Sequence, residues 1–301
     1  MPKTLDFLCI GAAKSATTTL HELLKDHPDI SLPASKEAPF FNDNHTYHKG
    51  LNWYIKTHFG AHPNKLLGTV TPHYMFDQID VTVEETAKRI HDTIPDVKII
   101  ALLRNPVDRA YSHYKMLRQR GYEHRSFEQA VTDLQAGKNT IKNYSEPDSD
   151  YLALSRYGEI LAHYYKLFPK KNILIITTNE LSNDPVGTIS KVLKFIGASP
   201  NAYSPPADTV ARKGGTKPRV KQLSPGFLYS LPLVKKTWQT TMPYSLRRSI
   251  EYRINLWNTA GDDDRLDKES TFYKDLIEYF KKDAAQIKKL SGHTMPWSKE
   301  R

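Results

Sequence analysis

The chain has little of what marks a secreted or membrane protein. Its 301 residues include one cysteine, Cys9, so no intrachain disulfide can form, which is typical of a reducing cytosol. No apolar run approaches the roughly 20 residues that a transmembrane helix needs. Lys3 and Asp6 precede a short strand pattern and a loop of small residues, unlike a signal peptide. We therefore expect a cytoplasmic protein in which Cys9 is a buried, small hydrophobic residue.

The chain also lacks internal repeats, low-complexity segments, zinc-ligand spacing and any block of basic residues. Its net charge is nevertheless +10, which indicates an anionic partner: nucleic acid, an anionic membrane surface, or a phosphorylated or sulfated small molecule. Because the basic residues are spread along the chain, we expect no nucleic-acid partner. No cluster of carboxylates or histidines has metal-ligand spacing, so we expect no metal.

Strand patterns alternate with helix patterns along most of the chain. Apolar runs predict strands at 5–10, 66–70, 97–103 and 172–178. Amphipathic stretches predict helices at 17–26, 83–92, 107–121, 155–168, 186–196 and 270–289. Gly197 is expected to end the fifth helix. The alternation predicts an α/β fold with a central parallel sheet flanked by helices and a ligand at the carboxyl ends of the strands.

The stretch from Phe7 to Leu20 carries the clearest chemical signal. A short apolar strand leads into small and hydroxylated residues around Lys14, and a helix follows. The backbone N–H groups of such a turn and the positive end of the helix dipole bind phosphate. Further hydroxyl donors follow the lysine at Ser15, Thr17, Thr18 and Thr19. Because no Gly-Lys-[Ser/Thr] is present, the loop is not a Walker A sequence, and a P-loop kinase is disfavoured.

Four segments in chain order share a pattern with one enzyme family. They are Gly11-Ala-Ala-Lys-Ser-Ala-Thr-Thr-Thr-Leu20, Ile99-Ile-Ala-Leu-Leu-Arg-Asn-Pro-Val-Asp-Arg-Ala-Tyr-Ser-His-Tyr114, Ile173-Leu-Ile-Ile-Thr-Thr-Asn-Glu-Leu-Ser-Asn-Asp-Pro185 with Phe195-Ile-Gly197, and Arg212-Lys-Gly-Gly-Thr-Lys217. Together they resemble the nucleotide-binding segments of sulfotransferases that use 3′-phosphoadenosine 5′-phosphosulfate (PAPS). The resemblance implies a P-loop-kinase-like sulfotransferase fold, PAPS as the donor, adenosine 3′,5′-bisphosphate as the product, and no metal.

The resemblance assigns roles to the first two segments. The first loop, including Ala16, would hold the 5′-phosphosulfate. There Lys14 would stabilise negative charge on the oxygen that joins phosphate and sulfur, a charge that grows in the transition state. Arg104 and Ser112 would hold the 3′-phosphate. The alternative for Arg104 is a structural ion pair with Asp108 or with Glu180, and the alternative for Ser112 is an ordinary place on the helix surface.

The later segments are similar to parts of the family that complete the nucleotide site. Tyr157 lies where the family often contacts the nucleotide. The last segment resembles a basic, glycine-containing loop that closes over it and consists of Arg212, Lys213, Gly214, Gly215, Thr216 and Lys217.

The acceptor side resembles the carbohydrate branch of the family, particularly the heparan-type enzymes. The segments that carry this likeness are His27-Pro28, Ser35-Lys-Glu-Ala-Pro-Phe-Phe41 and Tyr47-His-Lys-Gly-Leu-Asn-Trp-Tyr54. In that branch a glutamate deprotonates the acceptor, a role that maps onto Glu37. The alternatives are that Glu37 pairs with Lys36 and that His73 is the base. Trp53 is expected to pack, with stacking on a sugar ring as the alternative.

Three departures from the family pattern affect these expectations. Ala16 replaces a usual glycine, so the turn must accept a Cβ, which we expect to be tolerated only at negative φ. Val70 stands where the heparan-type enzymes often have a lysine, so one active-site cation is missing. The membrane anchor and disulfide of Golgi members are also missing, as in a bacterial cytosolic enzyme.

These observations support a sulfotransferase acting on a carbohydrate-type hydroxyl or amine. One alternative keeps the donor but takes a small lipid, polyketide or phenolic acceptor. Another is a non-catalytic nucleotide- or nucleic-acid-binding protein. We predict one domain over 1–301, with a donor-binding core at about 5–220 and a variable cap and final helix at about 221–301. The sequence does not indicate an oligomeric state.

Overall fold

The computed structural model of the chain describes residues 4–60, 64–138, 150–200 and 266–299, and the backbone of two short strands at 217–218 and 259–260. Within these residues no helix is long and apolar enough to cross a membrane.

The strands form one parallel sheet and one small antiparallel pair. In chain order they are β1 (Phe7–Gly11), β2 (Ile30–Ser31), β3 (Leu66–Val70), β4 (Lys98–Leu103), β5 (Ile173–Thr177), β6 (Lys217–Pro218) and β7 (Thr259–Ala260). The first five make the sheet in the order β2-β3-β1-β4-β5, with every neighbouring pair parallel. β6 and β7 pair antiparallel.

The helices follow the strands, as in a doubly wound fold. They are α1 (Thr17–Leu24), α2 (Asn44–Tyr47), α3 (Leu51–His58), α4 (Val83–Thr93), α5 (Pro106–Gln119), α6 (Phe127–Gln135), α7 (Tyr157–Leu167), α8 (Thr178–Asn183), α9 (Pro185–Ile196), α10 (Thr271–Tyr279) and α11 (Lys281–Ser291). Short 3₁₀ helices lie at Pro72–Met75, Ala153–Ser155, Lys170–Asn172 and Pro296–Lys299.

Local signals in the sequence explain where several helices begin. The Thr82 hydroxyl accepts the Glu85 N–H and caps α4, and Asp184 caps α9, which begins with a proline. Thr177 and Glu180 form a reciprocal capping box at the start of α8.

Apolar residues cover both faces of the parallel sheet, because neighbouring residues of a strand point to opposite faces. Leu8 and Ile10 of β1 belong to a core cluster with residues of α4, α7 and α11. Phe7 and Cys9 belong to a second cluster with residues of α1 and α9. Cys9 is completely buried and free, as the sequence predicts.

The fold class predicted from the sequence is confirmed. β3 has the predicted bounds, and Gly197 ends α9 with a φ of 85°, the left-handed conformation typical of a C-terminal glycine. The single terminal helix predicted at 270–289 is wrong. It is two helices, α10 and α11, separated at Phe280, whose ψ of 0° interrupts the helix. The division into a core at 5–220 and a cap at 221–301 stays a prediction.

The chain contains two compact units. The first comprises Met1–Pro106, Arg156–Ala211 and Ile277–Arg301, and it contains the parallel sheet. The second comprises Val107–Ser155 and Arg212–Leu276.

Aromatic rings and one buried arginine hold the described part of the second unit together. The Phe127 ring packs edge-on against the rings of Tyr111 (centroids 5.1 Å apart) and Phe272 (5.7 Å). Arg109 is fully buried, and its Nε donates to Ser155 Oγ at 2.6 Å and its Nη2 to the Tyr151 carbonyl. Burial of a charge requires such hydrogen bonds, so Arg109 has a structural role here.

Candidate active site

The candidate site lies at the carboxyl end of β1, in the middle of the sheet. β1 pairs with β3 on one side and with β4 on the other. At such a switch point the loops after neighbouring strands run to opposite sides and leave a crevice beyond the strand ends. The sequence predicts its phosphate-binding loop at this position, directly after β1.

Gly11 brings the end of β1 against the short helix Pro72–Met75 that follows β3. A Cβ at Gly11 would lie 2.6 Å from Met75 Sδ and 3.0 Å from Met75 Cβ, so the glycine permits this close approach without displacing the methionine side chain. The Thr71 N–H also donates to the Cys9 carbonyl at 2.9 Å. His73 belongs to that 3₁₀ helix, which packs against the end of β1.

Two residues of the β1–α1 loop adopt the left-handed backbone conformation. The φ of Lys14 is 68° and the φ of Ala16 is 61°. The expectation that Ala16 requires a negative φ is therefore wrong. This conformation costs a residue with a Cβ about 1–2 kcal/mol, and it persists where the surroundings impose it, commonly at ligand sites.

The loop leaves the start of α1 without a side-chain cap. Ala16 is the N-cap residue, and its side chain has no oxygen to accept the N–H groups of the first turn, Thr17, Thr18 and Thr19. Uncapped N–H groups and the positive end of the helix dipole favour an anion. The sequence prediction of a phosphate pocket relies on these same groups.

Ser15 provides a buried polar group that the described residues leave unsatisfied. Its side chain is completely buried, and its Oγ has no hydrogen-bond partner in the described part of the chain. An unpaired buried hydroxyl costs about 1–3 kcal/mol. A phosphate or sulfate oxygen in the loop would accept this hydroxyl, so the residues present fit the anionic end of a nucleotide.

Arg104 connects β4 to the same loop. It directly follows β4, and its Nη1 donates to the Lys14 carbonyl at 3.4 Å. Glu180, one partner in the alternative ion pair for Arg104, instead pairs with Lys191, whose Nζ lies 3.1 Å from its Oε1. The structure thus joins the two segments that the sequence predicts to bind the two phosphates of one nucleotide.

The two candidate bases, Glu37 and His73, lie side by side. Glu37 Oε2 is 3.9 Å from His73 Nε2, and Glu37 Oε1 is 3.1 Å from Lys36 Nζ. Each side chain is about one third exposed, at 35% for Glu37 and 32% for His73. The sequence offered Glu37 as a base, His73 as a base and the Lys36 pair as alternatives, whereas the structure places all three groups together.

Lys36 is a residue of this site that sequence analysis missed as a functional group. The charge of its ammonium reaches the Cys9 thiol in β1. Burial raises the pKa of that thiol to about 12, and the Lys36 charge partly opposes this rise. Val70, where a lysine was expected from the family pattern, is completely buried in β3. The sequence signal for Lys36 was its position beside Glu37.

Two buried tyrosines support the backbone beside the two candidate bases. Tyr54 on α3 donates its hydroxyl to the carbonyl of Ala38, the residue after Glu37, at 2.8 Å. Tyr164 on α7 donates to the carbonyl of Tyr74, the residue after His73, at 2.5 Å. Burial raises the pKa of both Tyr54 and Tyr164, so both hydroxyls stay protonated donors. The two segments are therefore fixed from the core.

The structure describes the immediate surroundings of two remaining predicted residues, and most of the others lie outside the described residues. Ser112 is on α5 and is partly exposed. Tyr157 begins α7, is completely buried, and packs its ring 6.2 Å from that of Trp297. The predicted loop residues outside the described part of the chain are Arg212, Lys213, Gly214, Gly215 and Thr216. For Lys217 the structure describes only the backbone, in β6. The nucleotide roles of these residues stay predictions.

Over the described ranges, the histidine, cysteine and acidic side chains form no group of three or more that could hold a metal ion.

Comparisons with known proteins bear on this geometry. A sequence model described as "Sulfotransferase domain" matches residues 4–241. The mouse bifunctional heparan sulfate N-deacetylase/N-sulfotransferase 4 is 32% identical over 207 residues, which are 65% of this chain and 22% of that protein. The mouse heparan sulfate glucosamine 3-O-sulfotransferase 6 is 28% identical over 199 residues, 63% of this chain and 51% of that protein. The match thus spans between about a fifth and a half of these relatives.

Among solved structures, a sulfotransferase from Alicyclobacillus acidocaldarius has the same fold. It aligns with a TM-score of 0.65 over 98% of this chain and 99% of that chain, with 23% sequence identity. At this identity the likeness is one of fold, and it agrees with the arrangement of strands and helices around the crevice.

Proposed function

This chain belongs to the sulfotransferase domain family, and on that premise we propose that it transfers a sulfuryl group from PAPS to a hydroxyl or amine of a carbohydrate-type acceptor. The observation that supports the donor most strongly is the buried, unpartnered Ser15 hydroxyl beside Lys14 at the uncapped start of α1. An anionic phosphosulfate would satisfy this hydroxyl and the first-turn N–H groups at once.

On the donor side, PAPS would supply the sulfuryl group: the bond between sulfur and the bridging phosphate oxygen breaks, and its electron pair stays on that oxygen of the departing adenosine 3′,5′-bisphosphate. Lys14 lies in the loop where the charge on the phosphate oxygen would develop, and a fixed cation there stabilises the transition state more than the ground state. Arg104, held against the Lys14 carbonyl, is proposed to bind the 3′-phosphate, with Ser112 as its predicted companion. Charge-assisted hydrogen bonds of this kind contribute about 1.5–3 kcal/mol.

On the acceptor side, Glu37 is proposed to take the proton as the acceptor oxygen or nitrogen bonds to sulfur. A positioned general base contributes about 10²–10⁴-fold in rate. Lys36 Nζ lies 3.1 Å from Glu37 Oε1 and can hold the carboxylate in position. His73, at 3.9 Å, can orient the carboxylate or relay its proton to solvent, so the two candidate bases act as one unit.

The carbohydrate acceptor is proposed from the relatives, whose names specify heparan sulfate and glucosamine. The choice between O- and N-sulfation is left open, because relatives of both kinds match. No observation in the described residues favours the small apolar acceptor or the non-catalytic binding protein. The cytoplasmic location stays a prediction from the sequence.

Calorimetric titration with adenosine 3′,5′-bisphosphate, with 5′-AMP as the control ligand, tests the donor site. We expect the bisphosphate to bind at least tenfold more tightly than 5′-AMP, and Arg104→Ala to remove most of that preference. Lys88→Ala, which removes an exposed cation paired with Asp92, is the matched control and should bind like the wild type. Equal affinity for the two nucleotides would overturn the proposal.

A further inference from the structure

A long segment that includes α3 and His73 contains no acidic residue. From Asn44 to Phe76 the sequence has neither aspartate nor glutamate over 33 residues, although 33 of the 301 residues of the chain are acidic. At that frequency, about one in nine, a segment of this length would carry about four. It contains instead three lysines and five histidines, namely Lys49, Lys56, Lys65, His45, His48, His58, His62 and His73.

Helix α3 presents part of this basic segment along one exposed face. Trp53 and Lys56 are three residues apart on α3 and Asn52 and Lys56 are four apart, so all three lie toward the same side of the helix, and Lys49 precedes the helix. We call these four residues the α3 stripe. Tyr54 and Ile55 lie on the opposite side and are buried in the core.

The side chains of the α3 stripe combine cations with an aromatic ring and an amide. Lys49 Nζ lies 4.5 Å from the centre of the Trp53 ring, a cation–π contact that holds the ammonium in place. Asn52 and Lys56 are exposed, and Trp53 is partly exposed. Lys49 precedes α3 and Lys56 lies on its second turn, with Trp53 between them in the sequence.

The two ammonium groups of the stripe have no ion-pair partner among the described residues. Many other exposed lysines do have one, including Lys25 with Glu22, Lys88 with Asp92 and Lys191 with Glu180. Cations without an ion-pair partner, in a segment without carboxylates, produce a positive local potential that attracts an anionic ligand.

The α3 stripe is connected to the candidate base through the helix itself. Tyr54, on the buried side of α3, donates to the carbonyl of Ala38, next to Glu37. The Tyr54 ring also packs 4.6 Å from the ring of Phe40, which follows in the same segment. A chain bound on the exposed face of α3 is therefore held on the element that also fixes the backbone beside Glu37.

We propose that the α3 stripe is a binding site for an anionic polysaccharide, which holds the acceptor chain outside the reacting residue; this inference rests on the proposed function. The two ammonium groups can pair with sulfates or carboxylates of the polysaccharide, and the exposed part of the indole provides apolar surface for a pyranose ring. Nucleic acid is the less favoured ligand, since the stripe has no arginine to contact phosphates in pairs and only one aromatic ring for stacking bases.

Fluorescence anisotropy with a labelled heparin octasaccharide tests the proposal on the full chain. The test variant is Lys49→Gln/Lys56→Gln. The matched control is Lys194→Gln/Lys288→Gln, which removes the same charge from exposed positions on α9 and α11. Neutral dextran and a single-stranded oligonucleotide are the comparison ligands, and binding of adenosine 3′,5′-bisphosphate is measured on every variant.

We expect the stripe variant to lose at least tenfold in octasaccharide affinity, the control variant less than twofold, and both to bind the bisphosphate like the wild type. In a transfer assay the stripe variant should raise KM for a polymeric acceptor and leave kcat unchanged.

Equal losses of octasaccharide affinity in the two variants, or no octasaccharide binding by the wild type, would overturn the proposal. Equally tight, stripe-dependent binding of the oligonucleotide would assign the surface to nucleic acid instead. If the wild type does not bind the bisphosphate but binds the octasaccharide through the α3 stripe, the proposed function is wrong and the polysaccharide-binding site is still supported.

Discussion

Replacing Ala16 by glycine is expected to stabilise the protein. Ala16 has a φ of 61°, and the left-handed conformation costs a residue with a Cβ about 1–2 kcal/mol. Glycine removes that cost but loses about 0.5–1 kcal/mol through the greater freedom of the unfolded chain. The net gain should lie between about 0 and 1.5 kcal/mol, which raises the melting midpoint of a chain of this size by up to about 3 °C.

Thermal unfolding of Ala16→Gly and of the matched control Ala13→Gly measures this effect. Ala13 belongs to the same loop but does not have a positive φ, so glycine there brings only the entropic loss of about 0.5–1 kcal/mol. The two variants should therefore shift the midpoint in opposite directions. Calorimetry should also show weaker binding of adenosine 3′,5′-bisphosphate by Ala16→Gly, because its loop is less preorganised. A midpoint lowered equally in both variants would refute the strain argument.

Two further substitutions test individual contacts. Burial raises the pKa of the Asp283 carboxyl from 3.8 to about 7. Because the folded protein holds this proton more tightly than the unfolded chain does, the stabilisation from Asp283 is fully present below pH 3.8 and is lost as the pH rises to about 7. Asp283→Asn should abolish that loss in thermal melts recorded across this range, and an unchanged pH dependence would contradict the raised pKa. Tyr164→Phe removes the hydrogen bond to the Tyr74 carbonyl beside His73 and should lower kcat about three- to tenfold. The affinity of Tyr164→Phe for the donor nucleotide should stay unchanged. The control Tyr165→Phe should alter neither kcat nor donor affinity, and equal effects of the two variants would contradict a positioning role for Tyr164.

The sheet and the donor loop could be predicted from the sequence because their signals are local. Apolar runs gave β3 and β4 within one residue, and the small residues around Lys14 indicated an anion site before any contact was known. The break at Phe280 could not be predicted in this way. No glycine or proline marks it, and a buried aromatic residue there continues the helical pattern of apolar positions.

The acceptor side of the site depends on contacts between distant parts of the chain. Glu37 and His73 are 36 residues apart and follow different strands, so only the pairing of β2, β3 and β1 explains why they lie 3.9 Å apart. The backbone of Ala16 was predicted wrongly for a related reason. Local propensity disfavours a left-handed alanine, and the tertiary surroundings of the loop override that preference.

Transfer of radioactive sulfate from labelled PAPS to a desulfated heparan backbone tests the central claim most directly. The wild type should label the polysaccharide, and Glu37→Gln should lower kcat about 10²–10⁴-fold while binding adenosine 3′,5′-bisphosphate normally. No transfer to the polysaccharide by a wild type that binds the bisphosphate, or full activity of Glu37→Gln, would contradict the account.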